Sequence, residues 1–407
     1  MSSFMQRQFI PYAVLCRLGG CFFIPNFTKP LENSNVVCRS VYTAYSAFII
    51  LLCFSFQVVL IVQRAHVFRD FSHDFSLSLM LIVRTILNLK ALLNAFIMAT
   101  GSATLLEFFR KSSAFEKTTG FSPATQGVRG IWRNRWSFFR QTLVVIGAVT
   151  AYVVSTIPFI ISLTKMLPTD LHFLRKLGAV IVTAYYLLYD ALPYMVLRSC
   201  SAVLVEYLQF QRKKIERCCE LKSFHDTTQL SGQLEVIRHH LGHIRDLKDF
   251  LNNIWQVPLA AMSAAILLFA CVACYAMFHD GLNAQDIPLA VSFCVYSSLA
   301  FVDMTLVSQA LHDEVSQRDS NITETRMHRC PASSFVLFYF FQLRFLHESI
   351  DPKDMCLSGG GFFRLNKPLL VSMTGSIITY TVILVQTSDK LTSSTDFVTA
   401  PLALYQI

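Results

Sequence analysis

The sequence predicts an all-α, polytopic membrane protein with seven transmembrane helices, and three observations carry that prediction. Apolar residues fill 53% of the 407 positions, 35 of them phenylalanine. Charged residues supply 15%, where a soluble globular chain carries roughly 25%, too few to coat the roughly two or three soluble domains that a chain of this length would otherwise form. Seven apolar stretches also reach the ~20 residues that cross a bilayer. The same balance argues against a secreted disulfide scaffold, a disordered tail protein and a cytosolic enzyme.

The first segment, 1–40, contains an apolar run that Arg17 interrupts and no small-residue cleavage site follows, so it is expected to stay as a cytosolic, interfacial segment. The spans then fall at 41–62, 76–100, 141–163, 177–197, 257–278, 287–306 and 367–386. A shorter apolar run at 333–346 carries Gln342 and Arg344 and suits a buried or interfacial helix instead. Of the 35 lysines and arginines, 27 sit in segments 1–40, 101–140, 198–256 and 311–367, against six in the alternate connections. Basic residues gather on the cytoplasmic side, which predicts a cytosolic N-terminus and an extracellular C-terminus, with 387–407 as an extracellular tail. The same bias accounts for the net charge of +9 without nucleic acid. Eight of the 12 cysteines fall on the cytosolic side and four within spans, a pattern of free thiols, with a bond from Cys271 or Cys274 to Cys294 left open.

Leu230, Leu234, Ile237, Leu241, Ile244, Leu247, Leu251 and Ile254 repeat near the 3.5-residue period of packed helices. The fifth span is therefore expected to begin as a long cytosolic helix that enters the bilayer near Pro258, and the fourth to continue below it from Glu206 to Leu221. Within this region His239, His240 and His243, with His225 nearby, read HHLGH. They lack the glutamate of a zinc hydrolase motif and are read as a helix face. Adjacent Cys218 and Cys219 point apart on a helix. Gly359, Gly360 and Gly361 have neither a preceding strand nor a following Lys-Ser/Thr pair, and read as a flexible hinge before the last span. No metal and no cofactor is assigned.

Arg84, Lys90, Asp190 and Asp303 are ionisable residues inside spans, where such groups are costly and face the bundle interior. At ~1.5 Å per residue, Lys90, Asp190 and Asp303 lie roughly 20–24 Å from the outer surface and Arg84 about 12 Å, so Lys90 can pair with either Asp190 or Asp303. The outer halves of spans three to six carry Tyr152, Ser155, Thr156, Tyr185, Tyr186, Tyr275, Tyr296 and Ser297. Aromatic faces with a few hydroxyls suit a pocket for a small organic ligand, and Arg84 lies at its level.

The last span reads Gly361, Phe362, Phe363, Arg364, Leu365, Asn366, then Gly375, then Thr379 and Tyr380, five apolar residues and Gln386. This resembles the C-terminal signature of the insect gustatory receptors, Thr-Tyr, five apolar residues, Gln, Phe, and of the related odorant receptors with their co-receptor. Thr387 stands where the signature has Phe. The resemblance implies a ligand-gated, non-selective cation channel acting as a gustatory chemoreceptor for small organic tastants in the plasma membrane of chemosensory neurons. It implies a homotetramer or a heteromer with other gustatory receptors, in which the final helix of each subunit lines a central pore and the cytosolic extensions, with 311–365, form an anchor domain. Carried over by position, Ile383 and Thr387 form the gate with Gln386 beside it. A seven-helix G-protein-coupled receptor is the rival, against which stand the basic-residue count and the lack of Asp/Glu-Arg-Tyr and Asn-Pro-x-x-Tyr motifs. A transporter is third, and no enzymatic activity is assigned.

Overall fold

A computed structural model of the chain describes residues 2–25, 27–29, 31, 34–37, 40–63, 75–123, 128–164, 172–220, 227–278, 286–328 and 351–399. Its helices are α1 (Phe4–Leu18), α2 (Val41–Gln63), α3 (Phe75–Thr100), α4 (Ser102–Thr119), α5 (Val128–Thr164), α6 (His172–Glu220), α7 (Thr227–Phe278), α8 (Asp286–His328) and α9 (Lys367–Thr399). Between α8 and α9 lie a 3-10 turn, Pro352–Met355, and a two-stranded hairpin, β1 (Ser358–Gly359) with β2 (Phe363–Arg364). The run at 333–346, Leu221, His225 and residues 400–407 lie outside the described residues.

Seven of the helices, α2, α3 and α5–α9, are long and apolar enough to cross a membrane. Their lengths decide the architecture. The 52 residues of α7 extend about 78 Å and the 49 of α6 about 74 Å at 1.5 Å per residue, against ~30 Å of hydrocarbon. Each is therefore more than 40 Å longer than the hydrocarbon core is thick, and the excess lies at the basic end of the bundle. There the expected seam is observed: Leu234, Ile237, Leu241, Ile244, Leu247, Leu251 and Ile254 are all buried, with α7 packed on α4 and α6. The side chain of Leu230 lies outside the described set.

Helix α1 buries one face in the bundle and leaves the other exposed. Met5, Phe9, Ala13 and Cys16 are buried, and Phe9 packs in tilted and edge-on contacts among Phe22, Phe27 and Phe109. Its start is held by Ser3, which accepts from the Gln6 amide at 3.1 Å, and by Glu116 of α4, whose carboxylate accepts from the amides of Phe4 at 2.5 Å and Met5 at 2.9 Å. A carboxylate there complements the positive end of the helix dipole.

The three glycines before α9 are not a flexible hinge, which corrects the sequence reading. Gly360 (φ +61°) and Gly361 (φ +77°) take the left-handed turn that reverses the hairpin, and a Cβ on Gly359 would stand 2.3 Å from the Phe363 ring. The turn is clamped: Asn252 accepts from the Ser358 amide at 2.8 Å, and Ser308 Oγ accepts from the Leu357 amide at 2.9 Å. Leu357 and Leu365 are fully buried. A strand of two residues leaves no periodicity to detect, so only packing reveals it.

Helix α9 does not stop at 386 but continues to Thr399. It leans on α7 and touches α8. Only 11% of its spanning window is buried, against 56% for those of α7 and α8.

Candidate functional site

A cavity of about 70 Å³ lies between α2, α3, α5, α6, α7 and α8. Helix α3 supplies one face of it because Leu81, Arg84, Thr85 and Asn88 recur at the helical spacing of three and four residues. The aromatic wall is Tyr152, Phe293 and Phe269, with Tyr152 edge-on to Phe293 at 5.2 Å and Phe293 stacked on Phe269 at 5.5 Å. Such offset and edge contacts fix ring orientations and leave flat apolar surface to a ligand.

Three hydroxyls on the wall have their protons committed. Thr85 donates to the Leu81 carbonyl at 2.8 Å, Ser155 to the Tyr152 carbonyl at 2.8 Å, and Tyr186 to the Cys53 carbonyl at 2.9 Å. Their oxygens are therefore left to accept. Asn88 donates to Gln57 Oε1 across α2 and α3 at 2.6 Å, which aims the remaining amide groups. Neither amide was singled out in the sequence, where Gln57 is the one amide of its span and Asn88 is masked among Arg84, Thr85, Lys90 and Asn94.

Below this cavity sits the buried ion pair. Lys90 of α3 and Asp190 of α6 approach to 2.6 Å, with side chains 7% and 0% exposed. The hydroxyls of Tyr152 and Tyr296 lie beside the same carboxylate. Of the two partners left open by the sequence, Lys90 takes Asp190. Asp303 belongs to a second cluster: Arg198 Nε donates to it at 2.5 Å, Tyr194 at 2.7 Å, and Arg140 Nε stands at 3.2 Å. Arg198 also donates to Gln141 Oε1 at 2.9 Å and to the carbonyl and hydroxyl of Ser137, and Gln141 donates to Tyr12 at 2.8 Å, so the cluster ties α1, α5, α6 and α8 together. The sequence reading missed Arg140 and Arg198 because each fell one residue outside a drawn span.

The remaining candidates divide. Arg84, Tyr152, Ser155 and Tyr186 line the cavity together. Tyr296 and Ser297 line a smaller one beneath it. Thr156 donates to the Tyr152 carbonyl at 2.7 Å without lining either. The hydroxyls of Tyr185 and Tyr45 of α2 meet at 2.8 Å, apart from both cavities, and Tyr275 is buried elsewhere. On α9, Thr379 donates to the Gly375 carbonyl at 3.1 Å and Thr387 to the Ile383 carbonyl at 2.8 Å, while Tyr380, Ile383, Gln386 and Thr387 are exposed. Among the described residues Cys271, Cys274 and Cys294 are free thiols. His239 and His243 meet at 3.1 Å on the exposed face of α7, while His240 is buried against Phe115.

A family model described as 7tm chemosensory receptor matches residues 10–391 of this sequence. The chain belongs to the 7tm chemosensory receptor family. It is 22% identical over 156 residues to gustatory receptor family protein 3 of Caenorhabditis elegans, an alignment spanning 38% of this chain and 35% of that relative's length. The fold of this chemosensory receptor is similar to that of the insect olfactory receptor OR5 of Machilis hrabei. The structure of OR5 in complex with eugenol superposes with a TM-score of 0.70 at 15% identity, covering 94% of this chain and 98% of that one. A second OR5 structure gives 0.68 at 16% identity over the same shares.

Proposed function

We propose that this receptor is a ligand-gated, non-selective cation channel for small organic tastants, a tetramer with α9 of each subunit around a central pore. The observation that carries this reading is the exposed stripe on α9. Ser372, Gly375, Thr379, Ile383 and Gln386 recur every three or four residues and are all exposed in the protomer, whereas Met373 and Thr381 are buried and Leu370 and Leu384 pack on the core. A mostly polar stripe facing lipid is costly. Turning it toward a shared axis removes that cost, and symmetry multiplies each side chain into a ring.

Ile383 then excludes water when the pore is shut, and Gln386 offers amide oxygen without fixed charge. Thr387, whose proton is tied to its own helix, presents lone pairs that suit a cation. In this arrangement the extensions of α6 and α7 with the 311–365 segment form the anchor, the N-terminus is cytosolic, the C-terminus is extracellular, and the membrane is the plasma membrane of a chemosensory neuron. The upper cavity takes the ligand. Its lone-pair-rich, aromatic-walled lining suits a compact molecule with hydrogen-bond donors, and the relative OR5 was captured with eugenol.

Patch-clamp recording tests the reading. Ile383→Ser should raise current without ligand, Thr387→Phe should lower it, and Gln386→Glu should raise divalent permeability. From a 99:1 closed-to-open ratio, about 2.7 kcal/mol reaches even occupancy. If the protein reaches the surface as a tetramer and all three variants match the parent in ligand-free current and ion selectivity, α9 is not the pore.

A further inference from the structure

The smaller cavity, about 20 Å³, lies between α3, α6, α7 and α8 directly beneath the Lys90–Asp190 pair. Two features converge on it. Both Pro193 of α6 and Pro258 of α7 line it, and both are inside helices. A proline within a helix deprives the carbonyl four residues earlier of its donor, here those of Tyr189 and Ile254. At the first, Asn94 Nδ2 of α3 supplies the missing donor at 3.2 Å.

The second feature is a set of buried polar atoms around the same space. Among the described residues Asn94 Oδ1, Trp255 Nε1 and Ser297 Oγ have no hydrogen-bond partner, and all three residues line the cavity. Their exposures are 2%, 1% and 2%. Buried polar groups in folded proteins are satisfied as a rule, by protein or by ordered water. The three atoms come from three helices and are chemically mixed: an acceptor, a donor, and a hydroxyl that is both.

We propose that this cavity is a built water site, holding one or at most two waters that bridge Trp255, Asn94, Ser297 and the Asp190 carboxylate. The volume sets the number, since a water needs about 10–15 Å³ of such space and two to four polar partners. The chemistry sets the identity. A cation would meet the Lys90 ammonium and the Trp255 N–H, and an apolar group would leave every one of these atoms stranded, whereas water donates and accepts. A hydrated gap beside the two prolines also offers α7 a replacement partner where its ladder is broken, as Asn94 does for α6, the condition under which helices in a bilayer tolerate proline.

Trp255 reports on the site. The chain has three tryptophans, and Trp132→Phe with Trp136→Phe leaves Trp255 as the sole indole. Ultraviolet resonance Raman spectroscopy of this purified receptor reads whether the indole N–H is hydrogen-bonded. The expected result is a hydrogen-bonded band that moves to the free-indole position on adding Ser297→Val, which removes one partner and fills part of the space. A free-indole band without Ser297→Val, or a bonded band that Ser297→Val leaves unmoved, overturns the proposal. Should a variant fail to fold, density of the unsubstituted receptor decides: one or two compact peaks among Trp255 Nε1, Asn94 Oδ1 and Ser297 Oγ support it, whereas direct side-chain closure or a longer density refutes it.

Discussion

Neutralising one member of the Lys90–Asp190 pair should cost far more than neutralising both. At 2.6 Å and an effective dielectric of 20, the attraction is about 6 kcal/mol. Desolvating two ions offsets much of that, and the measured cost of breaking such a buried pair on one side is about 3–5 kcal/mol, because the survivor is left charged and unpaired. The environment shapes each loss: with Lys90→Met, Asp190 keeps neutral neighbours such as the hydroxyls of Tyr152 and Tyr296 but no counter-charge from Lys90, whereas with Asp190→Asn the ammonium loses its counter-charge outright. At roughly 2 °C per kcal/mol for a large chain, each single variant should lower the apparent melting temperature by about 6–10 °C, while Lys90→Met/Asp190→Asn should recover more than half of the loss. Thermal challenge of the detergent-solubilised receptor followed by size-exclusion chromatography measures this, all four proteins being heated at one rate because such unfolding is irreversible. A cycle in which the two single losses simply add in the double variant would refute the pairing.

Asn88→Leu breaks the bond to Gln57 and removes an acceptor from the upper cavity, so ligand potency should fall about tenfold, the equivalent of one net hydrogen bond of about 1.4 kcal/mol, with surface expression retained; unchanged concentration-response curves would place the ligand elsewhere. Asn26-Phe-Thr and Asn321-Ile-Thr match the glycosylation acceptor yet fall on the side assigned to the cytosol, and neither should carry glycan; a deglycosylation shift mapped to either site would invert the proposed orientation. Burial pushes the Cys21 thiol up to about 12 and the Cys16 thiol well above its ordinary value, with Cys21 and Cys200 adding to the shift. Thiolate is the reactive form, so maleimide should leave both cysteines unlabelled near pH 8 in the folded receptor, and label them on denaturation; equal rates in both states would contradict the burial of α1.

Much of this molecule is one-dimensional and therefore legible from its sequence. Span number and order follow from hydrocarbon thickness, a constraint that acts on each segment alone. The seam from Leu234 to Ile254 follows from helical periodicity, and the Thr379, Tyr380 and Gln386 signature is a matter of spacing. What the sequence could not supply is whatever depends on the rotation and depth of one helix relative to another. Arg84, Tyr152, Ser155 and Tyr186 share a cavity while Tyr185, adjacent in sequence to Tyr186, turns 100° away to meet Tyr45, because consecutive helical residues face different neighbours. Asp190 and Asp303 were equivalent by depth until packing set Asp303 among Arg140, Arg198 and Tyr194. The glycine hairpin and the polar atoms gathered between Pro193 and Pro258 belong to the same class. Each exists only where separate segments meet, and burial, which makes an unpartnered charge or amide costly, is a property of the assembled bundle and of no single helix.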